Sequence, residues 1–207
     1  AESWRDEAAV TIAEAMAVFQ EAGDHGGLAK GWRLLAWTHG TACSFSMAAD
    51  ASANAIEEAR LAGDARQQAL AATGFAAAAA LGPTPVSEAI ERCDRVVREI
   101  SGDRHSEAVV LMLLGSLQAM RGSFDEARAL IARSRGMLED LGLSVRIARL
   151  DVEAWRVEML AGDPLAGERE LRRAFDLLSA VGEKYLLSTV SGLLAQTLHV
   201  LGRYDEI

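Results

Sequence analysis

The sequence predicts an all-α fold, an α-solenoid of antiparallel helix hairpins repeating about every 40 residues, and three observations lead there. Alanine and leucine dominate, with three prolines and 5% aromatic residues, a composition that favours helix. Glycines Gly23, Gly63, Gly102, Gly142 and Gly182 recur at spacings of 40, 39, 40 and 40. A second series, Phe45, Val86, Phe124, Pro164 and Tyr204, interleaves with the first. Punctuation therefore falls about every 20 residues, enough for a helix of about four turns and a tight loop. Helix, loop, helix, loop at a fixed period marks a stack of hairpins, each burying its apolar face on the next.

Turns are expected near Gly23, Cys43, Gly63, Gly82, Gly102, Gly122, Gly142, Gly162, Gly182 and Gly202. They divide one helical-repeat domain over 1–207 into units at 1–23 (partial), 24–63, 64–102, 103–142, 143–182 and 183–207 (partial). In Gly23-Asp24, Gly63-Asp64 and Gly102-Asp103 the glycine suits a left-handed helix end and the aspartate suits the cap of the next helix. Asp163-Pro164 and Thr84-Pro85 place a capping side chain before a proline at the first helical position. Ser123-Phe124-Asp125-Glu126 reads as a capping box. Small residues, among them Ala48, Ala89, Ala127 and Gly167, stand three positions after the second series and let paired helices approach. Leu111, Leu114, Leu130, Met137 and Leu141 are expected to fill the layer between units. Ala8 continues this register backward into a second helix without a first, and Tyr204-Asp205-Glu206-Ile207 begins another second helix. The terminal copies are thus expected to be incomplete, with Ile12, Val18, Phe19, Leu193, Leu194, Leu198 and Leu201 forming exposed ends prone to weak self-association.

The pattern Leu114-Gly115, Gly122-Ser123-Phe124 and Ala127, and more loosely Trp32, Leu35-Ala36 and Ala48, resembles the tetratricopeptide repeat, although the unit is longer than the usual ~34 residues. More closely, five segments resemble the helical-repeat region of large bacterial regulators. These are Gly27 to Ala36, Gly82 to Val86 with Glu88-Ala89-Ile90, Met120 to Arg128, Leu160 to Pro164 with Glu168 to Arg173, and Gly202 to Glu206. Such regulators join a nucleotide-cyclase or LuxR-type DNA-binding output domain to a P-loop ATPase. The resemblance implies a non-catalytic interaction and sensing role in signalling or transcription, with the enzymatic motifs elsewhere in the parent. It also implies that the first helix of each unit lines the binding groove. Mapped here, that nominates Arg33, Trp37, Met112, Ser116, Arg149, Arg156, Gln196 and His199.

Chemistry narrows the partners. A net charge of −9 opposes nucleic acid, which needs clustered cations. No membrane-length apolar run occurs. No positively charged start leads into an apolar core, so no signal peptide is visible. Two cysteines fifty residues apart suggest neither a disulfide framework nor a zinc site, which fits a reducing cytoplasm. Cys43 stands at a turn position that is glycine in other copies, and Cys93 among apolar positions. No phosphate-binding loop is present, and His25, His39, His105 and His199 lack the spacing of a zinc helix, so no cofactor or metal is expected. Glu57-Glu58 and Glu139-Asp140 read as solvated faces, because adjacent helical residues point about 100° apart. Two lysines and one asparagine leave no material for a lysine- and asparagine-based carboxylate clamp. The expected partner is a protein, a peptide or a neighbouring domain of the same parent. The alternative is a small effector held in the groove.

Overall fold

The computed structural model describes residues 4–100 and 102–206, and among them it has ten α-helices and no strand. The helices are α1 (Trp4–Ala22), α2 (His25–Thr41), α3 (Phe45–Leu61), α4 (Ala65–Leu81), α5 (Val86–Glu99), α6 (Arg104–Met120), α7 (Phe124–Asp140), α8 (Ser144–Ala161), α9 (Pro164–Val181) and α10 (Tyr185–Val200). Every predicted turn is present. Among the described residues, no helix is long and apolar enough to cross a membrane. The chain forms two compact units, one up to Val110 and one from Leu111, the division falling inside α6.

One turn design recurs. The residue after the turn glycine donates its N–H to the carbonyl five residues back, as in Asp24 to Phe19, Asp64 to Ala59, Asp163 to Glu158 and Arg203 to Leu198. This closure requires a left-handed residue just past the helix. Gly162 (φ 80) and Gly182 (φ 69) supply it without steric cost. Cys43 adopts the same conformation with φ 56, and Ser44 donates to His39 in the same way. Asp24, Asp64, Asp103 and Asp163 then cap the following helix through the N–H groups of Gly27, Gln67, Ser106 and Ala166 at 2.8–3.0 Å.

Two caps differ from the sequence expectation. Pro85 is itself the N-cap of α5, so Val86 and not the proline opens the helix, and Thr84 makes no cap bond. Ser123 occupies the N-cap of α7 without a side-chain bond, so its capping box is not closed. Gly82 departs as well: its backbone is extended, and a Cβ would lie 2.5 Å from the Ala78 carbonyl oxygen.

In the first unit, α2, α3 and α4 pack through alanines, with Ala55, Ala59 and Ala76 fully buried. Cys93 lies in this layer, and its thiol donates weakly to the Ala76 carbonyl at 3.8 Å. Burial, with a smaller contribution from Asp94, pushes that thiol up to about 12. In the second unit Ala148, Val152, Leu171, Ala174, Leu178 and Val190 join α8, α9 and α10 around one core. Trp155 packs against it and donates its indole N–H to Thr197 at 2.9 Å, tying α8 to α10.

The ends of the chain are more covered than expected. Val18 is exposed, but Ile12 and Phe19 are half-buried, and Phe19 lies where a Cβ on Gly27 would stand. Leu193, Leu194 and Leu201 are half-buried, and Leu198 is buried. Tyr204–Glu206 form a single 3-10 turn. Ile207 lies outside the described residues.

Candidate functional site

The helix α8 carries charge where its sister helices carry none. Glu153 lies nine residues before the turn glycine Gly162, and the matching residues before Gly82, Gly122 and Gly202 are Thr73, Leu113 and Leu193. Its side chain is 1% exposed. A buried carboxylate costs several kcal/mol unless it is paired, and here three groups converge on it. Ser116 on α6 donates its hydroxyl to Oε2 at 2.8 Å. Arg156, one turn on, donates Nη1 to the same oxygen at 2.6 Å. Arg149, one turn back, brings Nη1 within 2.8 Å of Oε1, close enough for ion pairing but not aligned for a hydrogen bond. Both arginine side chains remain more than a third exposed, at 38% and 39%.

Of the eight nominated residues, the structure therefore gathers three, Ser116, Arg149 and Arg156, around a residue that was not nominated. Met112 lies on the same helix as Ser116 but is buried, so it serves packing and offers a ligand little. Ser116 is buried as well, and its hydroxyl is spent on Glu153. Gln196 is exposed on α10, and His199 stands edge-on to Tyr204 at 5.2 Å between ring centroids. In the first unit Arg33 donates Nε to Gln67 at 3.2 Å. Trp37 is 60% exposed and tilts against Trp4 at 5.6 Å. Trp32 and Trp155 are half-buried, as interhelix packing requires.

A second buried acid sits on another side of α8. Asp151 is fully buried, with Arg135 of α7 at 2.7 Å and Arg173 of α9 at 3.1 Å. Burial pushes its carboxyl up while both guanidiniums pull it down, and burial prevails in direction. Glu170 bonds to both arginines, at 2.8 Å for Arg135. Arg128 of α7 pairs with Glu158 of α8 through two hydrogen bonds, which raises the arginine further. Arg128, Arg135, Glu158, Glu170 and Arg173 line a hollow of about 220 Å³ between α7, α8 and α9. Each arginine there meets two carboxylates, so the lattice is electrically closed and reads as structural.

Another hollow, about 520 Å³, lies in the first unit beside the turn after α5, with Arg66, Leu70, Ile100, Asp103 and His105 on its walls. Asp103 there is already occupied in capping α6. Of the paired acids Glu57 is exposed and bonds Arg60, which holds its carboxyl below the usual range, whereas Glu58 is half-buried and faces His25 at 2.7 Å.

The chain is similar in fold to BtubC (BKLC) from P. vanneervenii. The two superpose with a TM-score of 0.76 over 99% of this chain and 87% of that one, at 12% sequence identity. At that identity the likeness establishes the fold: an all-α, solenoid-like assembly of helical repeats. No family model matches the chain, and no curated protein matches it by sequence.

Proposed function

We propose that this chain is a non-catalytic interaction and sensing module of a larger cytoplasmic signalling or transcriptional regulator, binding a protein, a peptide or the parent's own domains. The observation that carries this reading is the α8 cluster. A repeat that needs only leucine for packing instead holds a buried glutamate, and that glutamate displays two arginines on the first-helix face. A charged group that does not help packing is better explained by recognition, since buried ion pairs seldom improve stability over apolar residues of similar size. The repeat architecture supports the same conclusion, because stacked hairpins commonly present extended binding surfaces. The bacterial regulator parent rests on the sequence segments quoted above.

The test is co-purification of this chain with the separately expressed remaining domains of its parent. Retention at micromolar concentration that is lost when Gln196 and Arg156 are both replaced by tryptophan supports the reading. Turnover of ATP, or cyclic-nucleotide synthesis, by the purified chain above a blank refutes its non-catalytic part.

A further inference from the structure

We infer that Arg149 and Arg156 form an anchor for a single carboxylate on a peptide ligand, an aspartate or glutamate flanked by aliphatic residues. The inference rests on the reading of this chain as an interaction module and names the chemistry of its ligand.

Within the second unit Arg128, Arg135, Arg172, Arg173 and Arg203 each meet two carboxylates. Arg149 and Arg156 share one, Glu153. Among the described residues neither has a second acid, so two cations share one anion and the spot carries a surplus positive charge. Glu153 also fixes where the surplus sits. The two arginines are seven positions apart, about 10 Å along the axis, yet each places Nη1 within 2.8 Å of one oxygen of the same carboxylate. Two guanidiniums drawn together repel each other, and a second carboxylate bridging them relieves that repulsion. Each guanidinium has five N–H donors in a planar fork that matches a carboxylate. With one nitrogen engaged on Glu153, the others are left for a ligand.

The flanks indicate what surrounds that carboxylate. Val145 stands one turn before Arg149 and Leu160 one turn after Arg156, at 44% and 48% exposure. This gives a stripe of aliphatic, cation, buried anion, cation, aliphatic. The stripe runs about 22 Å along α8, the length of about seven extended residues. A polyanion is disfavoured by the net charge of −9. One acid between aliphatic residues fits both the charge and the span.

The test uses a fluorescein-labelled heptapeptide with one central glutamate between leucines, and its glutamine counterpart, titrated by fluorescence anisotropy. Wild type is expected to bind the glutamate peptide about tenfold tighter, with the preference shrinking as salt is raised. Replacing both arginines by alanine would leave Glu153 buried without a cation and could unfold the unit. The decisive variant therefore copies the α10 stripe onto α8: Arg149→Thr, Glu153→Leu and Arg156→Gln, after Thr189, Leu193 and Gln196. It keeps the packing of a sister repeat and should bind both peptides equally, at the glutamine-peptide affinity. Arg128→Ala, in the closed lattice, should leave the preference unchanged.

Equal binding of both peptides by wild type, or no binding of either, overturns the anchor, as does a preference that survives in the triple variant. Full displacement of the peptide by an equal concentration of succinate overturns the peptide assignment. Equal binding would still leave a peptide-binding face, and the co-purification experiment judges the broader reading separately.

Discussion

Cys43→Gly should stabilise the protein, although it removes a side chain and replaces it with nothing. Cys43 ends α2 at φ 56, a region where a Cβ crowds the neighbouring carbonyl, at a cost of about 1–2 kcal/mol per residue. Its side chain is exposed and makes no hydrogen bond among the described residues, so no packing is lost with it. Against the gain stands the greater freedom of glycine in the unfolded chain, worth about 0.5–1 kcal/mol. The balance is a stabilisation of about 0.5–1 kcal/mol, which raises the melting temperature by about 2 °C in a chain of this size. The reciprocal change, Gly63→Ala, isolates the same quantity. Gly63 has φ 67, and a Cβ there meets nothing within 4 Å, so any loss is purely conformational, about 1 kcal/mol. Differential scanning calorimetry of the two variants decides the matter. A Cys43→Gly melting temperature at or below wild type, with Gly63→Ala unchanged, would refute the claim that the left-handed turn residue governs these junctions.

Thiol chemistry offers an independent check: a disulfide reagent at pH 8 should modify Cys43 promptly and Cys93 only on unfolding. Because burial raises the folded Cys93 from 9.0 to about 12, the unfolded chain ionises first, and this residue's share of stability is lost as pH rises from about 9 towards 12; a flat stability profile there in Cys43→Ser would contradict it. Ala127→Leu should overpack the fully buried contact beside Gly115 and cost about 1–3 kcal/mol in equilibrium denaturation. Thr197→Val should leave the Trp155 indole N–H without its acceptor and cost about 1–2 kcal/mol, with a shift in tryptophan emission that an unchanged bond would not produce.

The fold was readable because the turns are made by residues with few substitutes. A left-handed helix end calls for glycine, and an aspartate just after it serves the next helix, so Gly23-Asp24, Gly63-Asp64 and Gly102-Asp103 announce their geometry. Legibility fails where a second solution exists. Ser123 needs no side-chain cap, and Pro85 shifted by one position because its fixed φ serves the N-cap equally well. The site was half legible. Arg149, Arg156 and Ser116 follow from helix register, but Glu153 reads by itself as one more solvated acid. The signal that reveals it is comparative within the chain: Leu113 and Leu193 occupy its place in the neighbouring repeats. Asp151 hides for the same reason, with Leu111 as its counterpart before Gly122.

The bond from Trp155 to Thr197 has a use beyond stability. Of the four tryptophans, Trp4, Trp32 and Trp37 lie before residue 111 and Trp155 alone lies after it. With the three early indoles replaced by phenylalanine, the remaining emission becomes a private optical signal from the α8–α10 junction. Its colour and quenching would then time the melting of the second unit against the helical circular dichroism of the whole chain. Coincident curves would mean that the two units unfold as one cooperative body, and separated curves would give each its own stability.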